Sequence, residues 1–144
     1  MKILIINGPN LNLLHIRDET FYGGLSLEQI NEIIKKEFST IQFEFFQSND
    51  EGAIINKIQS AQDFDGLIIN PGGYAHTSVS IKDALELLNI PKIEVHLSNL
   101  SKRESFRQEL LTASSCDGFI SGLKHFSYLA AVYLIIRICN SKNY

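Results

Sequence analysis

Two histidines, a tyrosine and three arginines decide what chemistry this sequence could perform. His96 stands two residues after Glu94. In a strand that spacing puts both on one face, about 7 Å apart along the chain. The carboxylate could then fix the imidazole's tautomer or keep it charged as an acid; the competing reading is a surface-edge pair with no catalytic role. His76 lies just past Pro71-Gly72-Gly73, and two histidines near such a break point to a site. Tyr22 follows Arg17 by five and precedes Gly23-Gly24. Tyrosine titrates near pH ~10 and is a poor base, but a neighbouring cation favours its phenolate. Arg103 and Arg107 are four apart and would share a helix face. They would meet an anion or a phenolate, or be neutralised by Glu104 and Glu109, and spacing does not choose between these.

The elements that must position these residues are legible as alternating runs. Ile3 to Ile6 is an apolar strand ending in Asn7-Gly8-Pro9-Asn10. Gln42 to Phe46 ends in Gln47-Ser48-Asn49, Leu67 to Ile69 in Asn70, and Ile93 to Leu97 carries His96 into Ser98-Asn99. Gly118 to Ile120 makes a short fifth strand. Between them, Leu27, Ile30, Ile33, Ile34 and Phe38 follow a capping box at Ser26 and Gln29. Ala53, Ile54, Ile58 and Ala61 mark a second helix, and Ile81, Ala84, Leu85 and Leu88 a third. Ser101 with Glu104 reads as another capping box, heading a helix through about Thr112, and Tyr128 to Cys139 is the last. Leu11 to Gly24 shows no periodicity and reads as a mobile surface loop, long enough to be a lid.

Five strands alternating with five helices imply an α/β fold. The expectation is a flavodoxin-like three-layer sandwich with a five-stranded parallel sheet in the order 2-1-3-4-5. The polar strand ends then collect on one rim, where such sheets bind ligands. Any single Asn or Ser there is more often a turn former. The stretch from Leu67 to Asp83 organises this rim, with Asn70 at a strand end and Thr77 or Ser78 at a helix start whose free N–H groups suit an anion.

The totals bound the rest. A chain of 144 residues is expected to form a single domain over 1–144. A net charge of −3 argues against broad nucleic-acid binding. Cys116 and Cys139 lie in apolar contexts and read as small buried residues in a reducing compartment rather than a disulfide. The apolar run after Lys2 is too short for a signal peptide. The longest run, Tyr128 to Ile136, falls short of the roughly 20 residues a membrane span needs, so a cytoplasmic protein is expected. His15, His76, His96 and His125 have no paired ligand spacing, so no metal site is expected. Neither a Walker loop nor GxGxxG follows the first strand, so no nucleotide cofactor is expected.

Five ordered motifs resemble those of the type II dehydroquinases (type II 3-dehydroquinate dehydratases) along nearly the whole chain. They are NGPNLNLL (Asn7 to Leu14), Arg17 with Tyr22-Gly23, QSN-x-EG (Gln47 to Gly52), INPGGYAHTSVSIKDAL (Ile69 to Leu85) and IEVHLSN…RESFR (Ile93 to Arg107). The resemblance implies anti elimination of water from 3-dehydroquinate, through an enolate, to give 3-dehydroshikimate, the third step of the shikimate pathway. It makes Tyr22 the base and has Arg17 favour the phenolate and stabilise the transition state. Asn10 would hold a water on the enolate oxygen, and His96, oriented by Glu94, would protonate the departing hydroxyl. Asn70 and the backbone of Leu97 and Ser98 would hold the carboxylate and C1 region. His76, Asp83 and Arg107 would grip ring hydroxyls, the aspartate coming from a neighbouring subunit, and Arg103 would support the tyrosine. The resemblance further implies no cofactor and a homododecamer built from trimers. Asp18-Glu19, Phe46 and Leu110-Leu111 depart from the family pattern without removing a catalytic residue. The alternatives are a non-catalytic flavodoxin-like module binding a polyol acid, and a different hydro-lyase of cyclic hydroxy-acids.

Overall fold

Strand β1 (Lys2–Asn7) is buried almost throughout, as its unbroken apolar run requires of a strand with helices on both faces. The computed structural model describes residues 1–141. It places β1 between β2 (Gln42–Gln47) and β3 (Gly66–Asn70), with β4 (Lys92–His96) and β5 (Gly118–Ser121) beyond, all parallel in the order β2-β1-β3-β4-β5. The expected fold and strand order are therefore those observed. Register sets Asn7 level with both Gln47 and Asn70, so the polar residues that end neighbouring strands meet on one rim.

Side-chain alternation divides the core in two. Ile3, Ile5, Ile68, Ile93 and Val95 pack on one face against helices α2 (Leu27–Glu37) and α5 (Phe126–Asn140). Leu4, Ile6, Leu67 and Ile69 pack on the other against α3 (Glu51–Gln59) and α4 (Val79–Glu86). The Ser26–Gln29 capping box is present in full: Gln29 N donates to Ser26 Oγ at 3.1 Å and Ser26 N to Gln29 Oε1 at 2.9 Å. The turns after β1 and β3 press together, Gly8 N donating to Asn70 O at 2.8 Å. A Cβ at Gly8 would stand 2.4 Å from the Pro71 carbonyl oxygen, so only glycine fits this contact.

Three expectations are corrected. The helix from Ser101 to about Thr112 does not form; the segment holds three short 3₁₀ turns, Leu100–Lys102, Ser105–Gln108 and Thr112–Ser115. Asn99 captures the cap by accepting from Ser101 N at 3.1 Å, and Gln108 Nε2 donates to Leu100 O at 2.6 Å. Local polar side chains thus take the bonds a helix would need. Arg103 and Arg107 consequently share no helix face. Secondly, Leu11–Gly24 is not irregular. It contains a 3₁₀ turn, Leu11–Ile16, and the short helix α1 (Glu19–Tyr22), capped by Asp18 and ended by Gly23 at φ 82°; Leu11, Leu14 and Tyr22 are buried. Thirdly, both cysteines are free, but Cys116 is only half-buried and Cys139 is exposed, the latter lying on the solvent side of α5 while Ile138 beside it packs on the core.

Candidate active site

The site assembles at the carboxyl ends of β1, β3 and β4, where the first turn of each following loop supplies one component. Its floor is a buried chain of three side chains. Tyr128 of α5 donates its hydroxyl to Asn7 Oδ1 at 2.5 Å and accepts from Asn70 Nδ2 at 3.0 Å. Full burial pushes the Tyr128 hydroxyl well above its ordinary titration range, which suits a neutral structural phenol. Gly72 N donates to Asn70 Oδ1 at 3.2 Å. The Asn70 amide is thereby fixed in orientation, with one of its two N–H groups left for the cleft.

Beside this floor, β4 brings Glu94 and His96 to one face, as their spacing predicts. His96 Nε2 lies 2.7 Å from Glu94 Oε1, with both side chains buried. A carboxylate only accepts, so Nε2 carries the hydrogen and Nδ1 is the nitrogen that remains for a ligand. The other Glu94 oxygen accepts from the Thr112 hydroxyl at 2.6 Å. Beyond His96, the Leu97 and Ser98 N–H groups have no acceptor among the described residues.

Arg17 and Tyr22, together with Arg103, supply the opposite charge pattern. Arg17 Nη2 and Arg103 Nη1 each donate to the Tyr22 phenolic oxygen at 2.5 Å. The Arg17 guanidinium also stacks over the Tyr22 ring, 3.8 Å from its centroid. Arg103 reaches Ser98 Oγ at 3.2 Å as well, tying Tyr22 to the loop after β4. Burial holds Arg17 below the usual guanidinium range; Tyr22 opposes that effect, and Arg103 and Arg107 add to it. Among the described residues, Glu104 is the carboxylate that pairs with Arg107 and Arg103, 2.8 Å from Arg107 Nε and 3.7 Å from Arg103 Nε. Glu109, the other carboxylate considered, instead offers its backbone oxygen to His76 Nδ1 at 2.7 Å. Since that carbonyl only accepts, Nδ1–H donates and Nε2 is left as an acceptor. Burial, chiefly, holds His76 below the ordinary histidine value, with His96 and Arg107 adding to the effect and the Glu109 carbonyl opposing it.

Asn10, Arg17, Tyr22, Asn70, His96, Leu97, Ser98, Arg103 and Arg107 all line one cleft of about 110 Å³. That size suits a small molecule rather than a dinucleotide. Asn10 enters it in the left-handed conformation, φ 68°, its N–H bonded to Asn49 Oδ1 at 3.0 Å. Glu94 acts from behind His96, and the His76 ring lies 6.3 Å from that of His96. Asp83 is exposed on α4 and does not line this cleft. Neither does Thr77 or Ser78: Ser78 caps α4 by accepting from Ile81 N at 2.9 Å and donates to Glu51. The anion site expected at that helix start is thus not part of the cleft. Among the described residues no three His, Cys, Asp or Glu side chains converge as metal ligands. Sequence reasoning missed Tyr128 and Thr112, which act from an apolar helix and from a segment read as helical; nothing in their local spacing marks them.

The arrangement pairs an oxygen held by two cations with an imidazole held by a carboxylate, separated by amide donors. Such a cleft can take a proton from one carbon and protonate a leaving oxygen on the next. The family model described as "Dehydroquinase class II" matches residues 1–136. A 3-dehydroquinate dehydratase of Clostridium perfringens is 48% identical over 146 residues, covering 99% of this chain and 100% of that protein. One from Thermotoga maritima is 47% identical over 137 residues, covering 94% of each. Among solved structures, the type II dehydroquinase of Butyrivibrio crossotus superimposes with a TM-score of 0.92 at 45% identity, covering 94% of this chain and 97% of that one.

Proposed function

The chain belongs to the class II dehydroquinase family, and from that premise we propose that it dehydrates 3-dehydroquinate to 3-dehydroshikimate, the third step of the shikimate pathway. Tyr22 takes a proton from C2, α to the ketone. The electron pair moves into an enolate, and two guanidinium donors on the phenolic oxygen stabilise the charge from which that base works. A water held by Asn10 supports the enolate oxygen. The enolate then collapses to form the C1–C2 double bond as the C1 hydroxyl leaves. His96 donates its Nδ1 proton to that hydroxyl, which departs as water, while Glu94 stabilises the charged imidazole on the other side.

Binding follows the same donors. The free Asn70 N–H and the unbonded N–H groups of Leu97 and Ser98 suit the carboxylate and C1 region. His76, with Nε2 open, accepts from a ring hydroxyl, and Arg107 grips another. The observation that carries this reading is the Tyr22 oxygen held at 2.5 Å by both Arg17 and Arg103 in the cleft that also holds the Glu94–His96 pair.

The reading extends to a cytoplasmic homododecamer built from trimers, in which Asp83 of one copy completes the cleft of another. The face of α4 that carries Asp83 supports it: Val79 and Leu87, four residues to either side, are 57% and 71% exposed. Such an apolar strip invites cover by a neighbour. No helix among the described residues is long and apolar enough to cross a membrane.

Proton NMR of 3-dehydroquinate mixed with the purified protein tests the activity. The C2 methylene should give way to a single vinyl proton; a methylene that persists would overturn the assignment.

A further inference from the structure

Glu94 is 0% exposed, and a carboxylate so enclosed must find a partner for each oxygen or lose its charge. One oxygen is occupied by His96. The other has one side-chain partner among the described residues, the hydroxyl of Thr112, at 2.6 Å. That separation falls in the range of a hydroxyl donating to a carboxylate. Thr112 is likewise fully buried, lies 18 residues further along the chain, and does not line the cleft.

The geometry points to Thr112 as a positioning residue of the dehydration, its hydroxyl anchoring the far oxygen of Glu94 so that the near oxygen holds His96 in the orientation that delivers a proton. This rests on the dehydratase reading of the cleft. The anchor is itself fixed. Leu111 N donates to Ala75 O at 2.9 Å, and the Glu109 carbonyl accepts from His76 at 2.7 Å. One short strip therefore sets both histidines, His76 through its carbonyl and His96 through Thr112 and Glu94. Without the hydroxyl, the Glu94 side chain is free to turn about its terminal bond, and the imidazole turns with it. Substrate would still bind, since Thr112 touches none of the groups that hold it.

Steady-state kinetics on 3-dehydroquinate test the role. Thr112→Val keeps the volume and removes the hydroxyl. It should lower kcat roughly 10- to 100-fold, as loss of a partner that orients a catalytic group typically does, with KM within about threefold. Thr112→Ser, which keeps the hydroxyl and is the milder change to the fold, should stay within about threefold of wild type in kcat. In a Glu94→Gln background the same Thr112→Val change should cost less than about threefold further, because groups acting through one another are not additive. A Thr112→Ser variant as slow as Thr112→Val would overturn the proposal, since packing rather than the hydroxyl would then matter. So would an equal loss in both backgrounds, or an unaffected Thr112→Val. An inactive wild type would bring down the dehydratase reading and this role with it; an active wild type beside an unaffected Thr112→Val brings down the role alone.

Discussion

At the scale of single residues, each of the two histidines is set by a partner that leaves one ring nitrogen open. His96 presents Nδ1 because Glu94 holds Nε2, and His76 presents Nε2 because Glu109 O holds Nδ1. His96→Ala should therefore lose about 10²- to 10⁴-fold in kcat, the usual worth of a general acid; near-normal turnover would refute its role. His76 should titrate below the ordinary 6.5, which ring-proton NMR can follow, and a midpoint above that value would contradict its burial. The consequence for stability has a definite sign. On acidification the unfolded chain protonates this ring first, so His76 withdraws stability as pH falls from about 6.5 through the folded midpoint. Above that window it contributes no pH dependence. The sequence showed which residue types stood on the rim, and the resemblance gave them roles. Spacing alone could not bring Arg103 to Tyr22, a contact that spans 81 positions; that pairing came from the resemblance.

At the scale of elements, the sheet and the helices that pack on it were legible because their periodicities are long and their caps conventional, as at Ser26 and Gln29. The Ser101–Thr112 segment was not. Its sequence carries a capping-box pattern, yet Asn99, two residues upstream, takes the Ser101 N–H that Glu104 would have closed, and Gln108 turns back to donate to Leu100 O. Long-range contacts accompany this local capture: Arg103 reaches Tyr22 and Thr112 reaches Glu94, and no local pattern announces either. Tyr128 shows the same limit, because an apolar helix gives no local sign that one hydroxyl bridges the ends of β1 and β3. Tyr128→Phe removes that bridge and leaves two buried amides short of a partner. It should cost about 1–3 kcal/mol of stability, read by denaturant unfolding; an unchanged midpoint would show that the bridge contributes nothing.

At the scale of the whole molecule, the cleft of one chain contains Tyr22, His96 and the groups proposed to hold the carboxylate, while Asp83 is exposed between Val79 and Leu87. Asp83→Ala should mainly raise KM, and an unchanged KM would argue against a substrate contact from a neighbouring copy. Light scattering should give the mass of an assembly rather than of one chain; a monomer that is fully active would contradict the shared site. In the proposed reaction, Tyr22, held by two arginines, begins an elimination that His96 completes. Its most direct test is the rise in ultraviolet absorbance of the conjugated enone from 3-dehydroquinate, followed for the wild type and Tyr22→Phe side by side. The wild type should turn over while Tyr22→Phe, which keeps the ring and loses the base, falls about 10²- to 10⁴-fold; comparable rates for the two proteins would contradict the account.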